Sequence, residues 1–290
     1  MGIKNRIKGS IHSIIMMVKE EKKVPVPFQM NTTKLLAGKT ALITGGSGGI
    51  GVAIAESFLK NGAYVIIAGT SASKLKTTTD KITMGGSSEH GYASRIKSIE
   101  INVLDVNSLP EKIDEASRLF DDRKIDILVN SAGVLNHSDF WHMTEQEYDA
   151  IMDINVKGTF FMCQAMGVYM TENKIKGHIL NVSSSSALRP AWTPYQMSKW
   201  SIRGFTLGLA DTLLPYGIIV NAIAPGPVAT EMLGKKPNDC IDNPETPIGR
   251  YAEPSEIANL ATFMVSDMGE MIIGDTFYIT GGAGTISYKS

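Results

Sequence analysis

Tyr195 and Lys199 are the two residues of this chain whose side chains, taken together, are best suited to moving a proton. They stand four residues apart, so a helix would place both on one face. A phenol can give up or take up a proton, and a neighbouring ammonium group stabilises its anion. The serines of residues 183–186 precede them and could donate a hydrogen bond to an oxygen on which negative charge develops. This set suits proton exchange with a carbonyl or hydroxyl oxygen.

A glycine-rich stretch near the start of the chain is the second chemical signal. Residues 44–51 read Thr-Gly-Gly-Ser-Gly-Gly-Ile-Gly, directly after the apolar segment 40–43 and at the start of a helical pattern over 50–59. Glycine lets the backbone turn sharply and approach a ligand closely. The N-terminus of the helix that follows offers free N–H groups to a phosphate. A strand, a glycine turn and a helix in this order predict dinucleotide binding.

The apolar segments that surround these motifs predict the fold. Runs rich in valine and isoleucine alternate with helical patterns, which is typical of a parallel sheet covered by helices on both faces. Besides 40–43, the predicted strands are residues 63–68, 96–103, 125–129, 177–182, 218–223 and 276–279. We therefore predict a single doubly wound α/β domain with about seven parallel strands, over residues 37–290.

Composition and charge narrow the class of protein. The 290 residues are 43% hydrophobic and 20% charged, as in soluble globular proteins. A formal net charge of −1 gives no field that would attract nucleic acid. The two cysteines, Cys163 and Cys240, make no disulfide framework, so we expect a cytoplasmic protein. Histidines and cysteines do not cluster at metal-ligand spacing and no stretch is long enough to span a membrane, so we expect neither a bound metal nor a membrane-spanning helix.

Residues 1–36 are predicted to form an amphipathic extension and a linker. Ile3, Ile7 and Ile11 begin a series of apolar residues at helical spacing with basic residues between them, and prolines within 22–27 favour an extended linker. We expect the helix to dock on the domain or on a second subunit. The alternative is a peripheral contact with a membrane surface through residues 1–23, because the polar face is basic.

Further motifs give the chain a resemblance to a known family. The motifs that follow the glycine turn are Asp105-Val106, Asn130-Ser131-Ala132-Gly133, Asn155, and Pro225-Gly226 with Thr230. With Tyr195 and Lys199 they resemble the short-chain dehydrogenase/reductase family, and they are most similar to 3-oxoacyl-carrier-protein reductases and sugar or polyol dehydrogenases. Ser131 stands where the family has a second asparagine. The resemblance implies a Rossmann-type domain that interconverts a small-molecule carbonyl and a secondary alcohol with NAD(P)(H).

The resemblance also implies roles for individual residues. Tyr195 would be the acid or base, and Ser184 would bind the substrate oxygen, with Ser183 or Ser186 as alternatives. Asn155 would anchor a water in the proton path, and Lys199 would hold the cofactor ribose. The residues implied to contact the cofactor are Gly45, Ser47, Gly48, Gly49, Ile50, Gly51, Thr70, Asp105, Val106, Asn130, Ala132, Gly133, Tyr195, Lys199, Pro225, Gly226, Val228 and Thr230.

Lys199 is also expected to make Tyr195 unusually acidic. The ordinary pKa of a phenol is about 10, so a base that works at neutral pH needs a pKa about three units lower, which corresponds to roughly 4 kcal/mol. A lysine in a partly desolvated cleft, together with the positive nicotinamide of an oxidised cofactor, could supply that stabilisation.

The choice of cofactor depends on the end of the second strand. Gly69 stands where an acidic side chain would bind the ribose hydroxyls of NAD(H). A phosphate could instead be surrounded by Thr70, Ser71, Ser73 and Lys74. We therefore favour NADP(H), with NAD(H) as the alternative.

Substrate contacts and assembly are predicted only coarsely. Arg189, Trp192 and residues 138–143 and 232–251 are expected to border the open end of the cleft. The resemblance implies a homotetramer or homodimer. A dinucleotide sensor or scaffold without turnover is the alternative function, but such a protein would not need the acid–base pair.

Overall fold

The computed structural model describes residues 34–85, 91–121, 123–136, 138–236 and 239–286. The predicted N-terminal helix and its contact with a membrane or a second subunit lie outside the described residues and stay predictions. Leu36 is fully buried, and its N–H donates to the carbonyl of Asn61 over 2.9 Å. Leu36 is thus part of the core next to β1, and the predicted division of the chain at residues 36 and 37 stays a prediction.

Seven parallel strands form one sheet, which confirms the predicted fold. The strands are β1 (Thr40–Thr44), β2 (Tyr64–Gly69), β3 (Ile96–Glu100), β4 (Ile127–Asn130), β5 (His178–Val182), β6 (Ile219–Pro225) and β7 (Thr276–Ile279). Their order is β3-β2-β1-β4-β5-β6-β7, so the direction of winding reverses between β1 and β4. Ligands of such sheets bind outside the carboxyl ends of the strands at this reversal.

Helices cover the sheet on both faces. Within the described residues they are α1 (Gly49–Lys60), α2 (Ala72–Gly85), α3 (Leu109–Ser117), α4 (Glu145–Met152), α5 (Thr159–Glu172), α6 (Pro194–Leu213) and α7 (Pro254–Met264). A π-helical segment, Asp153–Gly158, joins α4 to α5. None of the helices in the described ranges is long and apolar enough to cross a membrane.

Neighbouring residues of each strand serve opposite faces of the sheet, because side chains alternate along a strand. Ile43 packs in a buried cluster with Phe58 of α1, whereas Leu42 packs in a second cluster with Met162 of α5. All four side chains are fully buried. The valine- and isoleucine-rich strands are thus apolar on both faces, as the sequence predicts.

The third strand is shorter than predicted, ending at Glu100 instead of residue 103. Ile101 still donates its N–H to the carbonyl of Gly69 over 3.0 Å, but the chain then leaves the sheet. Val103 packs instead against the π-helical segment, where a Cβ atom placed on Gly158 would lie 2.6 Å from its Cγ2. The apolar pattern predicted that β3 continues to Val103, whereas Val103 packs on a distant helical segment and lies outside the strand.

His178 determines part of the response of the fold to acid. Its side chain is 7% exposed. Burial and the nearby charge of Lys39 lower its pKa from 6.5 to about 4, against an opposing effect of Asp267. As the pH falls below 6.5, the unfolded chain binds a proton at this residue that the folded chain does not. We expect the free energy of unfolding to fall by about 3 kcal/mol between pH 6.5 and 4 from this residue, measured by urea denaturation at several pH values.

Two variants isolate this contribution. His178→Gln should lose most of the acid-dependent change, while His142→Gln should keep it, because His142 lies exposed in a loop beside Asp139. Curves of stability against pH that run parallel for the native protein and His178→Gln would contradict the prediction.

Candidate active site

A cleft of about 790 Å³ opens at the carboxyl end of the sheet, at the reversal between β1 and β4. Its walls are the glycine turn after β1, the loop after β4, the serines after β5, the start of α6 and the loop after β6. Parallel strands deliver all of these loops to the same edge, which is why distant motifs meet there.

The glycine turn fits between two other loops only because it lacks side chains. Gly45 has a φ of +62°, and a Cβ atom there would lie 2.8 Å from the Cα of Ala132. A Cβ atom on Gly49 would lie 2.6 Å from Cγ2 of Thr230. The turn therefore brings bare backbone into the cleft, which lets a ligand approach it closely.

The start of α1 suits a phosphate group. Its N-cap is Gly48, no side chain caps it, and its first turn has no acidic residue. The N–H groups of a first helical turn lack partners within the helix, and the helix dipole makes this end positive. The residues present therefore fit the pyrophosphate of a nicotinamide dinucleotide.

The N-terminus of α6 fixes the positions of Tyr195 and Lys199. Thr193 is its N-cap and forms a capping box with Gln196, whose side chain accepts from the N–H of Thr193 over 3.0 Å. Pro194 occupies the first turn, where a missing N–H costs nothing. These signals start the helix just before Tyr195, so that Lys199 follows one turn later on the same face.

Lys199 is a buried ammonium group. Its side chain is 7% exposed, its Nζ donates to the carbonyl of Val182 over 3.0 Å, and Nζ lies 5.5 Å from the centroid of the Tyr195 ring. Burial lowers the pKa of Lys199 from 10.5 to about 8. The cation is thus retained in a place that disfavours its charge.

Tyr195 does not have the lowered pKa expected from the sequence. Burial raises the pKa of its phenol, and a hydrogen bond with Ser184 opposes that rise. The reason is that Lys199 donates to a backbone carbonyl rather than to the phenol oxygen. In the protein alone, therefore, the phenol of Tyr195 holds its proton at neutral pH.

The hydrogen bonds of the serines distinguish between the candidates. The hydroxyl of Ser184 interacts with the phenol of Tyr195 and lowers its pKa, and Oγ of Ser184 accepts from the N–H of Ser186 over 3.1 Å. Ser183 is turned the other way and donates from its Oγ to the carbonyl of Lys199 over 2.9 Å. Ser184 is therefore the serine whose hydroxyl meets Tyr195.

Asn155 lies behind the cleft, in the π-helical segment, and is 1% exposed. Its side chain accepts from the N–H of Val134 over 2.8 Å and donates to the carbonyl of Val134 over 3.0 Å and to Oγ of Ser198 over 3.1 Å. Ser198 in turn donates to the carbonyl of Tyr195 over 2.7 Å. Asn155 thus ties the loop after β4 to the helix that carries Tyr195. The predicted role of Asn155 in anchoring a water stays a prediction.

Most of the predicted cofactor residues line the cleft. These are Gly45, Ser47, Gly48, Gly49, Ile50, Gly51, Ala132, Gly133, Tyr195, Lys199, Pro225, Gly226, Val228 and Thr230. Four predicted residues do not line it, namely Thr70, Asp105, Val106 and Asn130. Thr70 and Asp105 are exposed outside it.

Asn130 belongs to a buried network below the cleft instead. Its Nδ2 donates to Sγ of Cys163 over 3.1 Å and to Oδ1 of Asn181 over 3.0 Å. Asn181 donates in turn to Oγ1 of Thr206 over 3.0 Å. The side chain of Asn130 is 4% exposed and connects β4 to β5 and α5, and its predicted contact with the cofactor stays a prediction.

The cleft also includes residues that sequence reasoning missed. Thr77, Thr78 and Lys81 on α2 line it beside the predicted Ser73 and Lys74. They follow Ser73 and Lys74 at intervals of three or four residues, so helical spacing could have indicated that they share one face. At the other end Arg189 and Met232 line the cleft as expected, whereas Trp192 and residues 138–143 do not.

Comparisons with known proteins agree with this architecture. Residues 45–284 match the protein family described as enoyl-(acyl carrier protein) reductase. The 3-oxoacyl-[acyl-carrier-protein] reductase FabG of Aquifex aeolicus is 32% identical over 251 residues, which are 85% of this chain and 98% of that protein. A short-chain dehydrogenase/reductase structure from Serratia marcescens superposes with a TM-score of 0.74 at 29% identity, over 87% of this chain and 99% of that one. A structure of an actinorhodin polyketide ketoreductase variant with NADPH gives a TM-score of 0.76 at 25% identity, over 86% and 98%.

The buried charge of Lys199 predicts a pH-dependent cost in stability. Below pH 8 both the folded and the unfolded chain hold the proton, so the cost is complete; between pH 8 and 10.5 the folded chain releases it first, and stability rises with pH. Lys199→Met lacks this group. In the protein without cofactor, the stability of Lys199→Met relative to the native protein should therefore fall by about 2 kcal/mol between pH 7 and 9.5, measured by urea denaturation.

Lys124→Met is the matched control, because Lys124 also donates to a carbonyl, that of Asn173, but at an exposed site. The stability of Lys124→Met relative to the native protein should not change between pH 7 and 9.5. A relative stability of Lys199→Met that is independent of pH would show that the ammonium is not destabilised by burial.

Proposed function

Because the chain belongs to the short-chain dehydrogenase/reductase family and is an NAD(P)-dependent oxidoreductase, we propose that Tyr195 exchanges a proton with the substrate oxygen as a carbonyl and a secondary alcohol interconvert. The observation that carries this role is the meeting of Tyr195, Ser184 and Lys199 in one cleft with the glycine turn. When bound, the nicotinamide supplies or accepts the hydride.

The protonated phenol is the form of Tyr195 that reduction of a carbonyl requires. A carbonyl that receives a hydride needs a proton on its oxygen, and a phenol with a raised pKa holds that proton at neutral pH. Ser184, which lines the cleft with Tyr195, is placed to donate to the same oxygen as negative charge develops. Nζ of Lys199 lies 5.5 Å from the centroid of the Tyr195 ring and supplies positive charge when the phenol gives up its proton.

We further propose NADP(H) as the preferred cofactor. Ser73, Lys74, Thr77 and Lys81 give the α2 side of the cleft hydroxyl groups and two cations, which suit a 2′-phosphate. Gly69 provides no carboxylate at the end of β2 to bind a ribose hydroxyl. NAD(H) is the alternative.

Assembly and location are part of the same proposal. An apolar groove of about 610 Å³ runs along α5 and α6, and Phe160, 42% exposed, lies in it with Phe205 and Leu209. Apolar surface of this extent favours burial against a second copy, as a homodimer or homotetramer. Cys163 and Cys240 are free thiols, which favours the cytoplasm.

Replacing Tyr195 by Phe tests the proton transfer. The variant keeps the ring and its packing but has no proton to exchange, so kcat should fall by about 100- to 10,000-fold. NADPH affinity should change by no more than a few-fold. A panel of carbonyl compounds followed by NADPH absorbance measures the first quantity, and titration of NADPH measures the second.

Tyr148→Phe is the control, since Tyr148 lies on α4 and does not line the cleft. It should keep full activity. Turnover by Tyr195→Phe within a few-fold of the native rate would remove Tyr195 from the reaction.

Gly69→Asp should move the cofactor preference from NADPH towards NADH. A Cβ atom on Gly69 has ordinary contacts, 3.6 Å to Cδ2 of Leu75 and 3.7 Å to Oγ of Ser47, so the side chain can be accommodated. Its carboxylate would repel a 2′-phosphate and accept from ribose hydroxyls. The ratio of NADPH to NADH affinity should fall at least about tenfold, or 1.4 kcal/mol, in fluorescence titrations.

Control variants that separate size, charge and position complete this test. Gly69→Asn adds the same bulk without the charge and should retain most of the NADPH preference. Lys74→Gln should weaken NADPH selectively, while Lys76→Gln, on the same helix outside the cleft, should not. Tighter binding of NADH than of NADPH by the native protein would overturn the assignment of NADP(H).

A further inference from the structure

Arg189 brings a positive charge to the substrate end of the cleft. The cations that line the cleft among the described residues are Lys74, Lys81, Arg189 and Lys199. The first two lie on α2, beside the glycine turn, and Lys199 is bonded to the carbonyl of Val182. Arg189 instead follows the turn Ser185–Leu188, directly after the serine that meets Tyr195. Arg189 therefore lines the cleft on the side of the serines and not on α2, the helix that would contact a 2′-phosphate.

The backbone of Arg189 is held in place on both sides. Its N–H donates to the carbonyl of Ser186 over 3.3 Å, and its carbonyl accepts from Nε1 of Trp200 over 2.9 Å. Its Nε lies 3.3 Å from the position of a Cβ atom built on Gly284, which has a φ of +87°. The glycine thus leaves the space that the guanidinium group occupies beside the C-terminal turn.

The guanidinium group is not neutralised by the protein. Across the parts of the chain that the structure describes, Arg189 forms no ion pair. Glu231 also lines the cleft, but it is not paired with Arg189 either. An arginine presents a planar set of donors that matches a carboxylate in a two-bond geometry. Arg189 is exposed, so an anion from solution can reach its guanidinium group.

The spacing limits which anion would fit. The turn between Ser184 and Arg189 is 3₁₀-helical, with a rise of about 2 Å per residue, so their Cα atoms stand about 10 Å apart. Leu135, Met232 and Leu233 line the same cleft with apolar side chains. A molecule that spans from Ser184 to Arg189 therefore needs a carbonyl or hydroxyl group, a short apolar chain and a terminal negative charge.

We propose that Arg189 binds a carboxylate of the substrate, and that the substrate is an oxo acid or hydroxy acid with an apolar chain between its reacting carbon and its carboxylate. This inference rests on the proposed function, because it assumes that the reacting carbon lies at Ser184 and Tyr195. It adds the chemical class that the cleft selects, with Arg189 as the residue that determines the selection.

Binding without turnover tests the inference. The probes are 4-oxopentanoate, 6-oxoheptanoate and 8-oxononanoate, each compared with its methyl ester, titrated calorimetrically onto the NADPH-loaded Tyr195→Phe protein at 150 mM salt. At least one acid should bind about tenfold or more tightly than its ester. Adding Arg189→Gln should lower the affinity for that acid by about 10- to 100-fold and remove the preference over the ester. Arg189→Lys keeps the charge without the planar donor set. Its affinity for the acid should lie between that of the protein with Arg189 and that of Arg189→Gln.

The outcomes separate this inference from the proposed reaction. Equal binding of every acid and its ester, or an equal loss for both in Arg189→Gln, would overturn the role of Arg189. Weaker NADPH binding in Arg189→Gln would assign the guanidinium to the cofactor and overturn it as well. Turnover of the esters by the native protein, lost in Tyr195→Phe, supports the reaction whatever Arg189 does. Selective binding of an acid that the native protein does not reduce would keep the inference and count against the reaction.

Discussion

The ammonium group of Lys199 stands where water scarcely reaches it, bonded to the carbonyl of Val182 over 3.0 Å. A buried cation is unfavourable, and its lowered pKa of about 8 expresses that cost. The carbonyl at the end of β5 offsets part of it. The fold thus loses some stability by keeping a positive charge beside the phenol of Tyr195.

The acid–base pair is positioned by a chain of polar contacts between the helices. The π-helical segment turns Asn155 inward, where its amide holds both polar groups of Val134. The same amide reaches Ser198, which holds the carbonyl of Tyr195. Insertions of this kind in a helix are often found at functional sites, because the extra residue changes the direction of one side chain without ending the helix. In this chain the changed direction connects the loop after β4 to the start of α6.

The sequence predicted what depends on short patterns and missed what depends on packing. The parallel sheet, the glycine turn and the positions of Tyr195 and Lys199 follow from apolar runs, glycine spacing and a helical repeat, all of which are local. The end of β3 was predicted wrongly, because Val103 packs against Gly158, which is distant in the sequence. Lys81 was missed because the helix face toward the cleft is defined only once α2 is docked. The pKa of Tyr195 is raised by burial, and Lys199 donates its hydrogen bond to the carbonyl of Val182 and not to the phenol. Neither feature can be predicted from residue types.

The two cysteines of this chain differ in a way that matters for biophysical work. Cys163 is fully buried and contacts Asn130 and Asn181. Burial also raises the pKa of its thiol, so we expect Cys163 not to react with alkylating reagents. Cys240 is exposed, on the segment that follows the cleft-lining Met232, and its carbonyl accepts from Lys235 over 2.9 Å. The native chain therefore carries its own attachment point for a fluorophore or spin label. A probe there would report on the surroundings of the segment after Met232 with no engineered residue.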